Sequence, residues 1–175
     1  MFILFFVSFL IITISADLEC DQPQVITARS HVITKLSRNL FYADSVTVNG
    51  SIVNGAQGSI QLYSTAGHTL FHIAINVNNI AMASANANGV WKDDKKNYPH
   101  KFLRNQTISI TLKYDNINYY VFDRGVYVTS FESKFPAWIP AKLGLANWAD
   151  VTAQVLCECR SGNIYSEYAG ECLNL

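Results

Sequence analysis

The sequence has few charged residues and no excess of either sign. Only 15% of its 175 residues are charged, and 13 lysines and arginines balance 13 aspartates and glutamates. A protein that binds nucleic acid needs a basic surface to replace the counterions of the phosphates. The cluster Lys92, Lys95 and Lys96 is offset by Asp93 and Asp94. The charge balance therefore excludes nucleic acid as the expected partner.

The sequence also lacks the patterns of helices and of common catalytic sites. No segment sustains apolar residues at the i, i+3, i+4 spacing of an amphipathic helix. There is no G-x-S-x-G, no H-E-x-x-H and no phosphate-binding loop, and His31, His68 and His100 stand singly. Asp93 and Asp94 would point to opposite faces of a strand, whereas glycoside hydrolysis needs two facing carboxyl groups. We predict a protein that is not an enzyme and that needs no metal or cofactor.

Long apolar runs are missing except at the start of the chain. Met1 to Ala16 is uncharged and apolar and ends in Ile14-Ser15-Ala16, which is typical of a secretory signal peptide and its cleavage site. The run is shorter than the about 20 residues of a membrane-spanning helix. Because no lysine or arginine precedes the apolar region, a signal anchor is the alternative. We expect a signal peptide at residues 1–16, a secreted, extracellular protein, and no membrane span after cleavage.

Cysteine is scarce and confined to the two ends of the chain, at Cys20, Cys157, Cys159 and Cys172. In a secreted protein an even number of cysteines favours disulfides. A bond between Cys157 and Cys159 would close a strained ring. We therefore expect Cys20 to bond one of these two and Cys172 to bond the other; a zinc site at Cys157-x-Cys159 is the less favoured alternative.

Two Asn-x-Ser/Thr sequons become glycan acceptors if the chain is secreted. They are Asn49-Gly50-Ser51 and Asn105-Gln106-Thr107. We expect N-linked glycans at Asn49 and Asn105.

Short runs of β-branched and aromatic residues recur along the chain, separated by Asn, Gly and Asp turns. Examples are Val46-Thr47-Val48, Thr107 to Leu112 and Tyr119 to Phe122. Such spacing is typical of an all-β sandwich. We predict a two-sheet antiparallel β-sandwich over residues 36–156, preceded by an N-terminal extension at 17–35 and followed by a cysteine-containing tail at 157–175.

One strand in the middle of the chain presents a polar face. The segment from Phe71 to Val77 alternates large apolar residues with His72, Ala74 and Asn76, so one face enters a core while the other faces solvent. Trp91 follows nineteen residues after His72. An aromatic ring beside fixed polar groups suits a sugar, which has apolar C–H patches as well as hydroxyl groups. The pattern predicts a carbohydrate site.

This constellation resembles the galectins, and the resemblance covers residues 36 to 156. Ile108, Ile110 and Leu112 match the apolar positions at the end of the family pattern F-x-x-G-x-x-F-x-L-x-I, and Arg124-Gly125 stands where the family has an Asn-Gly hairpin. The resemblance implies a jelly-roll sandwich of the galectin and concanavalin type that binds β-galactosides or related sugars.

The resemblance also implies roles for single residues. His72 matches the histidine that hydrogen-bonds the axial hydroxyl of galactose, and Trp91 matches the stacking tryptophan. Asp94 and Lys96 stand in place of a glutamate and an arginine, and Ser84 in place of an asparagine.

The other sugar-binding positions differ from those of the family, so two of the seven positions are identical to the family pattern. Ala74 replaces an asparagine or serine, and Asn76 replaces an arginine. Neither Asn76 nor Lys96 reproduces the planar fork of arginine, and losing such a network costs about 2–4 kcal/mol. The alternative function is therefore a galectin-like scaffold without sugar binding, acting as an extracellular protein-interaction or structural module. The expected site, which would take galactose-containing glycans, consists of His72, Asn76, Ser84, Trp91, Asp94 and Lys96. A homodimer would add multivalency.

Overall fold

The described part of the chain consists of β-strands and the turns between them. The computed structural model describes residues 23–26, 32–36, 39–40, 44–53, 56–76, 79–87, 90–91, 96–100, 107–115, 117–156, 163–166 and 171–174. Within 23–26, 79–87, 90–91, 96–98, 163–166 and 171–174 it describes the backbone alone. These residues include no helix long and apolar enough to cross a membrane. The strands are β1 (Pro23–Ile26), β2 (Val32–Lys35), β3 (Ser45–Ile52), β4 (Gly58–Ser64), β5 (Thr69–Ile75), β6 (Asn79–Ala87), β7 (Val90–Trp91), β8 (Lys96–Pro99), β9 (Ile108–Tyr114), β10 (Asn118–Asp123), β11 (Val126–Glu132), β12 (Pro140–Ala146), β13 (Trp148–Leu156), β14 (Asn163–Ser166) and β15 (Glu171–Asn174).

Two antiparallel sheets form a sandwich. The six-stranded sheet has the order β1-β13-β3-β9-β10-β11, and the seven-stranded sheet has the order β2-β12-β4-β5-β6-β7, with β8 also paired to β6. The strands β14 and β15 form a separate hairpin. This architecture confirms the predicted all-β sandwich.

The sandwich begins earlier than residue 36, where the sequence predicts the domain to start. β1 pairs with β13 and β2 pairs with β12, so the segment predicted to be an N-terminal extension contributes an edge strand to each sheet. Each of these strands has only four residues. That length is too short for alternation to show in the sequence. At the other end β13 stops at Leu156, and the hairpin β14–β15 lies in the predicted tail.

The core lies between the sheets and follows from the period of two in each strand. In β9 the residues alternate strictly between buried and half-buried, with Ile108, Ile110, Leu112 and Tyr114 on the buried side. Residues two apart share one face of a strand, so each strand supplies one apolar row to the core. The facing sheet supplies a matching buried row, which includes Ile60, Leu62, Phe71, Ile73, Leu143 and Leu145.

Four aromatic rings pack against one another within this core, three of them stacked and the fourth, Phe131, tilted. Phe71 lies 4.7 Å from Tyr119 and 5.7 Å from Phe131, measured between ring centroids, and Tyr119 lies 4.9 Å from Tyr114. Phe71 belongs to β5, whereas the other three rings belong to β9, β10 and β11, so the cluster joins the two sheets. Burial raises the pKa of the Tyr114 and Tyr119 phenols, which keeps both neutral.

Two polar contacts also bridge the sheets. The fully buried Trp148 of β13 donates its indole Nε1–H to the carbonyl oxygen of Ser59 in β4, at 2.9 Å. His100, directly after β8, lies 2.8 Å from the Asp123 carboxylate at the end of β10, measured from Nε2 to Oδ2. Hydrogen bonds depend on direction as well as on distance, whereas apolar packing is less directional. These two contacts therefore fix the position of one sheet relative to the other.

The β10–β11 hairpin uses a two-residue turn, Arg124-Gly125. Both residues have positive φ, 49° and 78°, as a hairpin turn of type I′ requires. Glycine reaches this conformation without a steric penalty, whereas most residues do not. The prediction that Arg124-Gly125 occupies a hairpin turn is confirmed.

Candidate functional site

The outward face of β5 carries the residues singled out from the sequence. His72, Ala74 and Asn76 are half-buried on this face, while Phe71, Ile73 and Ile75 are fully buried on the other. The predicted alternation of this segment is therefore confirmed. The polar side chains lie on the outer face of the seven-stranded sheet, away from the core.

His72 lies in a cross-strand row in the middle of this sheet. Its ladder partners are Gln61 of β4 and Ala83 of β6, and Gln61 in turn faces Gly144 of β12. An imidazole ring can donate and accept hydrogen bonds at its two nitrogens. Both ring nitrogens of His72 are buried in this structure, so a sugar hydroxyl would reach them only if neighbouring groups move.

The half of this face formed by β4 and β12 is filled by Tyr63. A Cβ atom added to Gly144 would lie 2.6 Å from Tyr63 Cε2, so the tyrosine ring occupies the space that glycine leaves. The Tyr63 hydroxyl donates a hydrogen bond to Gln61 Oε1, and burial raises the pKa of Tyr63. Beside it, Lys142 Nζ donates to the carbonyl oxygen of Thr65 at 2.9 Å. A ligand on this sheet would therefore meet the β5–β8 half of the face.

The row next to His72 is lined by small residues. Ala74 pairs with Ser59 of β4 on one side and with Ala81 of β6 on the other. Ala81 pairs with Asn97 of β8. No large side chain therefore stands beside Ala74 in the register. The polar positions of that row are the buried Ser59 on one side and Asn97, two strands away, on the other.

The remaining predicted residues lie in β6, β7 and β8 or outside the described residues. Ser84 pairs with Phe71, and Lys96 pairs with Met82, which itself pairs with Ile73. Because neighbouring residues of a strand alternate in face, the register groups Ser84 and Lys96 with buried positions of β5 rather than with His72. Their sugar-binding role stays a prediction.

Trp91 lies in β7 and pairs with Asn86, which pairs with Thr69 at the start of β5. The structure thus brings Trp91 into the same sheet as His72, three residues away along β5. Asn86 is two residues from Ser84 in β6, so the register groups Trp91, like Ser84, with the buried positions of β5, and its stacking role also stays a prediction. Asp94 lies outside the described residues, as does Asn105.

Two residues of this face were missed in the sequence. Gln61 faces His72 across the ladder and Asn97 faces Ala81. The signal for Gln61 was available, because Ile60 and Leu62 on either side of it are apolar and so place it outward. Among the described residues no group of three or more metal-ligating side chains occurs.

Comparison with known proteins identifies the fold. A family model described as galactoside-binding lectin matches residues 31–155. Galectin LEC-6 of Caenorhabditis elegans superposes with a TM-score of 0.65 at 11% identity, over 77% of this chain and 96% of that chain. Sheep galectin-11, in complex with glycerol, gives 0.62 at 14% identity over 75% of this chain and 100% of that chain. A human galectin-16 variant gives 0.60 at 16% identity over 75% and 96%.

A search of curated proteins gave no match. The galectin structures, at identities of 11–16%, show a common fold. The family model covers most of the sandwich, from just before β2 to the penultimate residue of β13. The chain therefore belongs to the galactoside-binding lectin family.

Proposed function

We propose that the protein is a secreted lectin that binds galactose-containing or related glycans on the outer face of the seven-stranded sheet. The observation that carries this proposal is the position of His72. It projects from the outward side of β5 in a domain of the galactoside-binding lectin family. The tryptophan-bearing strand β7 belongs to the same sheet.

The two residues would divide the recognition of a sugar ring between them. The Trp91 indole offers a flat apolar surface for the C–H patch of the sugar, at a small entropic cost. The His72 imidazole would exchange hydrogen bonds with a hydroxyl, which fixes the orientation of the ring.

The preference among sugars is expected to differ from that of a site built on arginine. Asn76 ends the polar face of β5, and the row of Ser59, Ala74 and Ala81 offers little to a hydroxyl group. An amide provides neither the charge nor the bidentate geometry of a guanidinium group. We therefore expect weak binding to simple β-galactosides, and a fuller set of contacts from sugars that also reach Asn97.

Loss of glycan binding in His72→Ala and Trp91→Ala is the expected result on a glycan array. The secreted, oxidised protein is compared with both variants and with Ile117→Ala, a matched control. Ile117 is 60% exposed in the turn before β10, in the other sheet. The control should bind as the parent does, because its turn lies apart from the candidate site.

A second candidate function is an extracellular interaction scaffold that does not bind sugar. The burial of both His72 ring nitrogens favours it, because buried nitrogens are closed to a sugar hydroxyl. A blank array with a cooperatively folded sample supports the scaffold and contradicts the lectin. If binding survives in both His72→Ala and Trp91→Ala, the sugar binds at another surface of the protein.

Secretion also predicts two disulfides, and the register of β1 suggests how they connect. Cys20, Cys157 and Cys159 lie outside the described residues, and only the backbone of Cys172, in β15, is described. Pro23 of β1 faces Gln154 of β13, and Cys20 and Cys157 are each three residues beyond this pair. Opposed Cα atoms of antiparallel strands are about 4.5–5.5 Å apart, which suits a disulfide. We predict bonds Cys20–Cys157 and Cys159–Cys172.

Peptide mapping of the secreted protein without reduction checks this connectivity. We expect one linked peptide pair containing Cys20 and Cys157, which separates after reduction of the same digest. A peptide that links Cys20 to Cys159 would show that the ladder register does not extend to the cysteines. Four free thiols would argue against secretion itself.

A further inference from the structure

The outer face of the six-stranded sheet has an uncharged polar surface that ends in exposed aromatic rings. Two neighbouring cross-strand rows form its centre. Neither contains a charged residue before the Arg124-Gly125 turn, where the Arg124 N–H donates to the carbonyl oxygen of Ser109 at 2.9 Å. Following the ladders, one row is Thr152, Asn49 and Ser109, and the other is Gln154, Thr47, Thr111, Phe122 and Tyr127. All eight residues are half-buried or exposed. The Thr47 and Thr111 hydroxyl oxygens lie 2.8 Å apart, which confirms that both point outward from the same face.

The aromatic end of the second row is open to solvent. Tyr127 is 55% exposed and packs edge-on against Phe122, with ring centroids 5.9 Å apart and an interplanar angle of 71°. Both rings flank the Arg124-Gly125 turn. Aromatic rings next to hydroxyl and amide groups match the mixed apolar and polar surface of a carbohydrate.

A glycan acceptor stands on this same face. Asn49 and Ser51, the first and third residues of a sequon, are two apart in β3 and therefore share a face. Asn49 is half-buried and Ser51 is exposed. An oligosaccharide attached to Asn49 would thus begin in the middle of the polar surface.

We propose that an N-linked glycan on Asn49 lies across the outer face of the six-stranded sheet and packs on Phe122 and Tyr127. This proposal rests on the secretion proposed above. From β3 to β11 there are three strand spacings, and the two rows are two residues apart along the strands, so the Cα atoms of Asn49 and Tyr127 are separated by about 16 Å. A glycan core of several sugar rings spans that distance.

The attachment uses the ordinary chemistry of the secretory route. The side-chain nitrogen of Asn49 attacks the anomeric carbon of a lipid-linked oligosaccharide. The new bond joins that carbon to the nitrogen, the lipid pyrophosphate leaves with the bonding electrons, and the nitrogen loses one proton. The threonine hydroxyls and the Gln154 amide can then hydrogen-bond sugar hydroxyls, while C–H groups of the sugar cover the aromatic rings.

A glycan in this position has a consequence for partners. It covers the part of the outer face of the six-stranded sheet that lies between Asn49 and Tyr127, so that neither a second copy nor another protein can pack on that part. The outer face of the seven-stranded sheet, on the far side of the core, stays open to external sugars.

A double-mutant cycle on the secreted protein tests the contact. Mass spectrometry first measures the occupancy of Asn49, which we expect to be high. Removing the glycan by Asn49→Gln, or by Ser51→Ala with Asn49 retained, should lower the Tm by about 2–4 °C. In a Tyr127→Ala background the same removal should lower the Tm by clearly less, because one of the two rings that the glycan covers is gone. Ile117→Ala is the matched control for Tyr127→Ala, since Ile117 is an exposed apolar residue at the opposite end of β10 and glycan removal should show no coupling to it.

Two results would overturn the proposal. One is an unoccupied Asn49 in the secreted protein. The other is an equal change in Tm on glycan removal with and without Tyr127. Sugar binding by Tyr127→Ala on the array should match that of the parent protein, so this proposal and the proposed lectin function can fail independently.

Discussion

Replacing Trp148 with alanine is expected to destabilise the domain by about 3–5 kcal/mol, the usual cost of truncating a large buried aromatic residue. The Trp148 side chain is fully buried, and its indole N–H is bonded to Ser59 of the facing sheet. The space around it is tightly filled. A Cβ atom on Gly50 would lie 3.2 Å from Trp148 Cε3 and 3.1 Å from the Cα of Val151. Truncation therefore removes packing and a bridge between the sheets together.

Urea unfolding followed by circular dichroism measures this loss, because the variant lacks the fluorescence of one tryptophan. A domain of this kind is typically stable by about 5–15 kcal/mol, so the variant should lose a large part of its stability. Trp148→Phe is the control that separates the two contributions. It keeps most of the ring volume and removes the hydrogen bond, so its loss should be intermediate. Equal losses in the two variants would assign the whole effect to the bond with Ser59.

Phe71→Ala is expected to cost a similar amount, about 3–5 kcal/mol, and to weaken sugar binding as well. Phe71 is fully buried between Tyr119 and Phe131 of the other sheet, and it directly precedes His72 in β5. Removing the ring leaves a cavity under the strand that carries the candidate site. The peptide bond between the two residues transmits any resulting shift of β5 to the His72 ring.

Chemical unfolding gives the loss of stability, and binding of a glycan identified on the array gives the effect on the site. Phe71→Leu, which retains an apolar side chain at this position, should cost less in both measurements. The surface variant Ile117→Ala should stay within about 0.5 kcal/mol of the parent. If Phe71→Ala unfolds the protein less than Phe71→Leu does, the aromatic cluster does not stabilise the sandwich in the way described.

The strands with strict alternation could be predicted from the sequence, and the short ones could not. β5 and β9 each have seven residues with a clear apolar period, so their buried faces follow directly from their sequences. β1 and β2 are four residues long and owe their existence to pairing with β13 and β12. Such pairing brings together residues more than a hundred positions apart, which no local pattern encodes.

Which residues belong to the candidate site depends on the register between neighbouring strands. The spacing of residues along the sequence does not determine that register. His72 and Trp91 could be found from the sequence because a histidine and a tryptophan are distinctive residues and their spacing along the chain is close to that of the galectin pattern. Counting along the chain groups Ser84 and Lys96 with His72. The ladders instead pair Ala83 with His72, and Ala81 with both Ala74 and Asn97. A shift of one residue exchanges the two faces of a strand.

The positions of β12 and β13 in the sheets determine the order in which the domain can fold. β13 lies between β1 and β3, and β12 lies between β2 and β4, although both are made after every other strand of the sandwich. The seven-stranded sheet cannot be completed before Ala146 has been synthesised, and the six-stranded sheet not before Leu156. Folds dominated by such distant pairings are slow to form. If the chain is secreted as proposed, it therefore passes through an open state during export, in which Asn49, later confined to a central strand, is accessible to a modifying enzyme.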